Sequence, residues 1–335
     1  MTTSQSTASN PRLSSEQLRF FSDEGYLIVP DIFTPPDLEP VRQELANRIG
    51  WKVEQLASEG KLSQKHSGAS FEERAARIWG DDTANGEAIM RDLEGVAGGG
   101  WTGPEMFKVI THRKMLAAVE CFVGSEIVGS SVYRIRPKMP GTMSRGIVPW
   151  HQDQGYFAPL CDSNLVLTCW IPLVDANEQN GCMKILPRAH RSGVARHFSG
   201  GHAGFLVIQD DDLPGQPSAA ITAECPRGGV VFMTNMTPHC STPNHTNLVR
   251  WSLDLRYQGN DVPNNAGLMP DIEAEPGPDY EVACYPPEAD FIIQSPSHPE
   301  SVTSYEEYIA RRQRYDAMKH KKYPKRDWQP MPAAV

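Results

Sequence analysis

Residues 248–257 alternate strictly: Val249, Trp251, Leu253, Leu255 and Tyr257 against Arg250, Ser252, Asp254 and Arg256. Successive side chains of an extended chain point to opposite faces, so this stretch is a strand with one thoroughly apolar side. It is the last of several. Ile127 to Arg136 alternates, Leu165 to Leu173 is a more continuous apolar run, and Gly229 to Asn235 follows. Asn180-Gly181 is a turn signal between two further β-like stretches. Before residue 125 the period is helical, as in Leu38, Val41, Leu45 and Ile49, or Met115 to Val123 stopped by Gly124. Helices first and short strands afterwards predict an all-β core with flanking helices, a sandwich or barrel with the helices packed outside.

The punctuation supports this order. Ser14 with Gln17, Ser70 with Glu73, and Thr303 with Glu306 each have capping-box spacing, and Thr34 precedes Pro35 at a helix start. Gly98-Gly99-Gly100 is a break; it lacks the strand before it and the Gly-Lys-Ser/Thr after it that a phosphate loop needs. Residues 261–301, rich in Pro, Asn and acids, read as a lid, a subunit contact or a surface wrap, with a homodimer as one expectation. The expected organisation is a disordered tail over 1–13 and a single domain over 14–335. That domain divides into a helical part (14–125), a β core (126–258) and a C-terminal loop and helix (259–335).

Charge and cysteines narrow the class. A net charge of −9 and a pI near 5.6 argue against nucleic acid as partner. The basic run Lys319 to Arg326 reads as a solvated helix end. No apolar run approaches the ~20 residues of a membrane span. The seven cysteines form no Cys-x-x-Cys pair, and Met1 to Asn10 lacks an apolar signal core, so reduced thiols and a cytoplasmic location are expected.

Chemistry concentrates in Val148-Pro149-Trp150-His151-Gln152-Asp153-Gln154-Gly155-Tyr156-Phe157. In an extended chain His151 and Asp153 share a face while Gln152 points away. One imidazole and one carboxylate supply two thirds of a facial triad, which leaves half of an iron(II) sphere open. Alone, such a tripeptide is a surface polar pair. Of the ten histidines, His239 and His245 are the candidates for the third ligand, because they follow a strand and precede the one that carries Arg250. Arg250 could hold a carboxylate with its planar fork; otherwise its strand is an edge strand with a solvated polar side.

His151-x-Asp153, His239, Ser241 two residues on and Arg250 eleven on together resemble the phytanoyl-CoA dioxygenase family of iron(II)- and 2-oxoglutarate-dependent oxygenases. Phe20 to Pro30 is similar to that family's opening, and Asn180 to Arg191 to its Asn-Gly…Pro-Gly-Ser-His segment. Arg188-Ala189 departs from the Gly-Ser usual there, and residues 49–103 and those past 261 match no shared feature.

The resemblance implies a double-stranded β-helix, a jelly-roll or cupin-like barrel. It implies Fe(II) on His151, Asp153 and His239, and 2-oxoglutarate on Arg250 and Ser241, with O2 as second co-substrate and succinate and CO2 as co-products. His245 lacks the matching Ser and Arg offsets. The carboxylate of Asp153 points to hydroxylation over halogenation, for which a small residue stands there. Thr168 is a further 2-oxoglutarate candidate, with core packing as its alternative. Gln152, Phe157 and Lys138 are candidates for substrate contact, Lys138 also for the co-substrate end. The implied substrate is a small organic molecule. An acyl-CoA hydroxylase is one rival, disfavoured by the absence of a basic cluster near the metal strand; a jelly-roll binding protein without turnover is the other.

Overall fold

The computed structural model describes residues 12–94, 101–130, 133–141, 147–157, 159–201, 204–264, 266, 290–317 and 326–331. Among them the helices are α1 (Ser15–Glu24), α2 (Pro35–Ser58), α3 (Phe71–Asp81), α4 (Thr83–Glu94), α5 (Pro104–Ile110), α6 (Arg113–Val123) and α7 (Tyr305–Ala317). The strands are β1 (Tyr26–Val29), β2 (Ile127–Gly129), β3 (Arg134–Ile135), β4 (Leu167–Pro172), β5 (Met183–Ile185), β6 (Ile221–Ala223), β7 (Val230–Met233), β8 (His239–Ser241), β9 (Ser252–Gly259) and β10 (Phe291–Gln294).

Capping boxes start α1 at Ser14, α2 at Thr34 and α3 at Ser70. Helix α2 runs well past Ile49 and through Gly50, because Val53 and Leu56 continue the stripe of Leu38, Val41, Leu45 and Ile49. Each of these buried side chains contributes about 2 kcal/mol. The cap of α7 sits one residue later than its sequence suggests: Ser304 Oγ accepts from Glu307 N (3.2 Å), while the backbone N–H of Thr303 donates to Ile292 of β10 (2.9 Å). Gly98–Gly100, residues 267–289 of the acidic segment and all of the basic run but Arg326 lie outside the described residues.

The strands form a seven-stranded sheet in the order β1-β7-β4-β9-β2-β10, with β3 also on β9, and a three-stranded sheet, β6-β5-β8. The β core with helices packed outside is as the sequence pattern predicts; neither sheet closes on itself among the described residues, so the closed barrel that the family resemblance implies is not seen. Among the described residues the span 127–136 pairs with β9 through β2 and β3, and Ser130 N and Arg136 N also bond Arg256 O and Ser252 O. Strand β9 is internal, between β4 and β2, and all eight of its residues are buried.

The large sheet has two different faces. Leu167, Cys169, Ile171, Phe232, Leu253, Leu255 and Tyr257 join the helical residues in one core. Trp170, Val231 and Met233, on the opposite face, pack on Met183 and Ile185 of the small sheet. The polar side of β9 therefore looks into the space between the sheets, and Arg250, Ser252, Asp254 and Arg256 are 4%, 0%, 8% and 7% exposed. Buried polar groups at that density need partners.

Candidate metal centre

His151 reaches the intersheet space on an isolated antiparallel bridge to His239, with both backbone N–H···O bonds made (3.0 and 2.9 Å). The imidazole centroids are 4.2 Å apart. Each ring is oriented by its own chain: Nδ1 of His151 meets Pro149 O (2.9 Å), and Nδ1 of His239 meets Thr237 O (3.0 Å). A carbonyl only accepts, so Nδ1 carries the proton and Nε2 presents its lone pair.

After Gln152 the chain leaves the extended conformation, and Asp153 opens a 3-10 turn, Asp153–Tyr156. The turn still brings the carboxylate to the two rings. One donor atom from each of His151, Asp153 and His239 lies within 4.8 Å of the others, and all three residues are buried. Two neutral imidazoles and a carboxylate fit a divalent first-row ion and leave positions open for other ligands.

Burial, and then the neighbouring His239, push the His151 imidazole down to about 3. Burial acts to raise the Asp153 carboxyl, but the Arg256 guanidinium and the two imidazoles outweigh it and hold it below the usual carboxylate range. Arg256 grips both oxygens, Nη2 to Oδ1 at 2.9 Å and Nε to Oδ2 at 3.2 Å, and Thr168 Oγ1 donates to Oδ2 (2.5 Å). Thr168 thus touches the Asp153 carboxylate, and Arg256, which the sequence pattern assigns only to a polar face, orients it.

Eleven residues beyond His239, Arg250 lies deep in the same pocket, over the Trp170 ring (5.2 Å). Its guanidinium donates to Gly181 O (3.2 Å) and Ser252 Oγ (2.5 Å), and no carboxylate among the described residues pairs with it. Lys138 is bridged to it across the strands and is equally buried. Its ammonium donates to Ser241 Oγ (2.7 Å) and to the Thr242 carbonyl. Burial and the adjacent Arg250 bring it down to about 7. Gly181, at φ +87°, is what lets the lysine pass: a Cβ there would stand 2.3 Å from Lys138 Cδ. Ser241 Oγ also accepts from Val148 N (2.8 Å), so its own proton is free to donate. Two buried cations and a hydroxyl together could receive a carboxylate.

The pocket that joins the rings to this receptor has a volume of about 130 Å³ and is lined also by Val148, Met183, Phe205 and Met233. Neither Gln152 nor Phe157 is among its lining residues. The Gln152 amide is consumed by Gly193 O, Met236 O and Ala195 N. Phe157 packs with Cys161, Val166 and Val262. His245 is exposed and belongs to no donor cluster among the described residues.

The family profile described as Phytanoyl-CoA dioxygenase (PhyH) matches residues 21–252. The chain belongs to the phytanoyl-CoA dioxygenase family. Its donor set fits the iron and 2-oxoglutarate pair of that family, and it is an iron- and 2-oxoglutarate-dependent oxygenase. The peroxisomal phytanoyl-CoA dioxygenase of Rattus norvegicus is 25% identical over 262 residues, covering 77% of this chain and 72% of the relative. A probable alpha-ketoglutarate-dependent hypophosphite dioxygenase of Stutzerimonas stutzeri is 25% identical over 263 residues, 74% of this chain and 79% of that one. The fold is similar to that of the epimerase SnoN, solved with Fe3+, alpha ketoglutarate and nogalamycin RO: TM-score 0.51 and 16% identity over 83% of this chain and 98% of that one.

A further histidine supports this family site without entering the pocket. His197 is fully buried; its Nε2 accepts from Gln152 N (3.0 Å) and its Nδ1 donates to Ala195 O (2.8 Å). Gly155 makes room, since a Cβ there would lie 2.6 Å from the ring. Trp328 covers it at 5.1 Å and bonds Gly155 O (2.8 Å). Burial pushes His197 from 6.5 down to about 4. The unfolded chain binds this proton first, so the stabilisation is complete above pH 6.5 and is lost as pH falls towards 4. The loss amounts to about 3 kcal/mol. In chelator-treated protein, Tm is expected to fall across that window, and His197→Asn to flatten the slope; parallel profiles for the two proteins would refute the assignment.

Proposed function

We propose that this oxygenase hydroxylates a small organic molecule, with His151, Asp153 and His239 as the iron ligands and Arg250, Ser241 and Lys138 as the receptor for the distal carboxylate of 2-oxoglutarate. The observation that carries this reading is one pocket with His151 and His239 on its wall, their donor atoms clustered with that of Asp153, and, beyond them, two buried cations that lack a carboxylate partner among the described residues. Fe(II) with 2-oxoglutarate and O2 would supply the oxidising chemistry, and succinate and CO2 would be released.

The chain's own part is orientation. The Pro149 and Thr237 carbonyls fix the imidazoles, Arg256 and Thr168 fix the carboxylate, and Trp170 backs the guanidinium. Val148, Met183 and Met233 keep the pocket partly dry, which strengthens each charge contact within it. Asp153 fills the third protein position, which supports oxidation of substrate over halogenation. The two sheets would correspond to the halves of a double-stranded β-helix.

A basic stripe does stand near the metal strand, contrary to the sequence reading, yet its Lys138, Arg250 and Arg256 are buried between the sheets. The open groove that shares Val148, Cys240 and Ser241 with the pocket carries Asp210 and Asp211, a poor surface for the phosphates of an acyl-CoA.

The test is anaerobic addition of Fe(II) and then 2-oxoglutarate. A weak visible charge-transfer band is expected, vanishing on exposure to O2 with succinate formed. Absence of the band at saturating metal would overturn the reading.

A further inference from the structure

The intersheet face carries more positive charge than iron and 2-oxoglutarate account for. Arg134, Arg136 and Lys138 stand at alternate positions of one strand and its extension, so all three share a face. Ile135 between them is fully buried in the helix-side core. Across the ladder, Lys138 is bridged to Arg250, Arg136 N donates to Ser252 O (2.7 Å), and Arg134 pairs in register with Asp254. Arg256 completes the row. Among the described residues the carboxylates on this face are Asp153 and Asp254. Asp153 is engaged by Arg256, and Asp254 is shared between Arg136 (3.6 Å) and Arg256 (3.4 Å). Among the described residues no carboxylate pairs with Arg134, whose guanidinium donates to the Tyr133 carbonyl (3.1 Å). Arg136 lines the pocket beside Asp254, His151 and His239, with its side chain 36% exposed.

Loading the centre does not remove the excess, because the charges of Fe(II) and of the 2-oxoglutarate dianion cancel. Nor can that dianion serve the whole row. From Lys138 to Arg134 the strand advances about 13 Å, beyond the reach of a five-carbon diacid that must also meet the metal. Arg134 and Arg136, half-buried and with only the shared Asp254 carboxylate near them, are therefore placed to take a counter-charge that arrives with the substrate.

On the iron and 2-oxoglutarate assignment above, we propose that Arg134 and Arg136 receive an oxyanion of the substrate, so that the molecule oxidised is a small carboxylate, phosphonate or phosphate. The planar forks of two arginines suit such groups, and a neutral analogue would leave them unpaired.

The test uses full-length protein held without oxygen and loaded with Fe(II) and saturating 2-oxoglutarate. It is titrated by calorimetry with inorganic phosphate, with benzoate, and with benzamide as the neutral counterpart. Binding of one or both anions and none of benzamide is expected; whichever anion binds separates phosphorus from carboxylate substrates. Arg136→Gln and Arg134→Gln should each weaken that binding by roughly tenfold or more, with partial recovery in Arg136→Lys. The charge-transfer band reports loading and folding of each variant in the same cuvette. Absence of binding by both anions to the loaded wild type, equal binding of benzamide, or unchanged anion affinity in the double Gln variant overturns the proposal. Failure of the band in the wild type overturns the iron assignment, a separate result.

Discussion

Replacing His239 by alanine is expected to abolish iron-dependent succinate formation, by roughly a thousandfold or more, while the protein stays folded. Loss of an orienting partner alone typically costs about 10–100-fold at such centres, and here a donor atom itself is removed. The fold should persist because His239 holds its neighbours through the backbone. Its N–H and C=O pair with His151, and its register with Ile185 survives the substitution. His151→Ala should behave alike. Asp153→Ala is the poorer test, since it strands the buried Arg256 guanidinium, and leaving one partner of a buried pair costs about 3–5 kcal/mol. Asp153→Asn keeps the shape and much of the hydrogen bonding while removing the charge, and separates the two effects. The checks are Fe(II)-dependent succinate yield and bound iron per chain, beside a thermal melt. Full turnover in His239→Ala would refute the site.

What the sequence discloses here is local. Helix starts with capping boxes and the alternation of β9 depend on neighbouring residues, and they read directly. Arg250 and Arg256 can be placed on one face of a strand by counting in twos. That this face is buried depends on a second sheet whose strands are three residues long, too short to carry a period of their own. The same limit explains the neighbours of the proposed metal ligands. Gln152 and Phe157 adjoin them in sequence, but the chain turns into a 3-10 segment at Asp153 and sends both side chains elsewhere. That turn is fixed from afar, by Gln154 N on Asn235 O (2.8 Å) and by His197 against Gly155. Arg256 meets Asp153 only because of it. His197 and Trp328 carry no motif at all; their places follow from packing.

Arg250→Met should raise the KM for 2-oxoglutarate by about 30–5000-fold, the equivalent of about 2–5 kcal/mol for truncating one side of a buried charge pair. At saturating 2-oxoglutarate kcat should change little, because the distal carboxylate is held alike before and during the reaction. Arg250→Lys should recover only part of the loss, as an ammonium cannot reproduce the fork or the contact with Trp170. The stability of the variant sets this apart from simple damage. In the protein without co-substrate, Arg250 is a buried cation beside a second one, Lys138, and pairs with no carboxylate among the described residues. Removing it relieves that repulsion, so the Tm of Arg250→Met is expected to equal or exceed that of the wild type. Stabilisation by added 2-oxoglutarate should shrink in step with the lost affinity. Lys138, released from its neighbour, should titrate higher than about 7. An unchanged KM would place the co-substrate elsewhere; a raised KM with a collapsed Tm would make Arg250 a structural residue instead of a receptor.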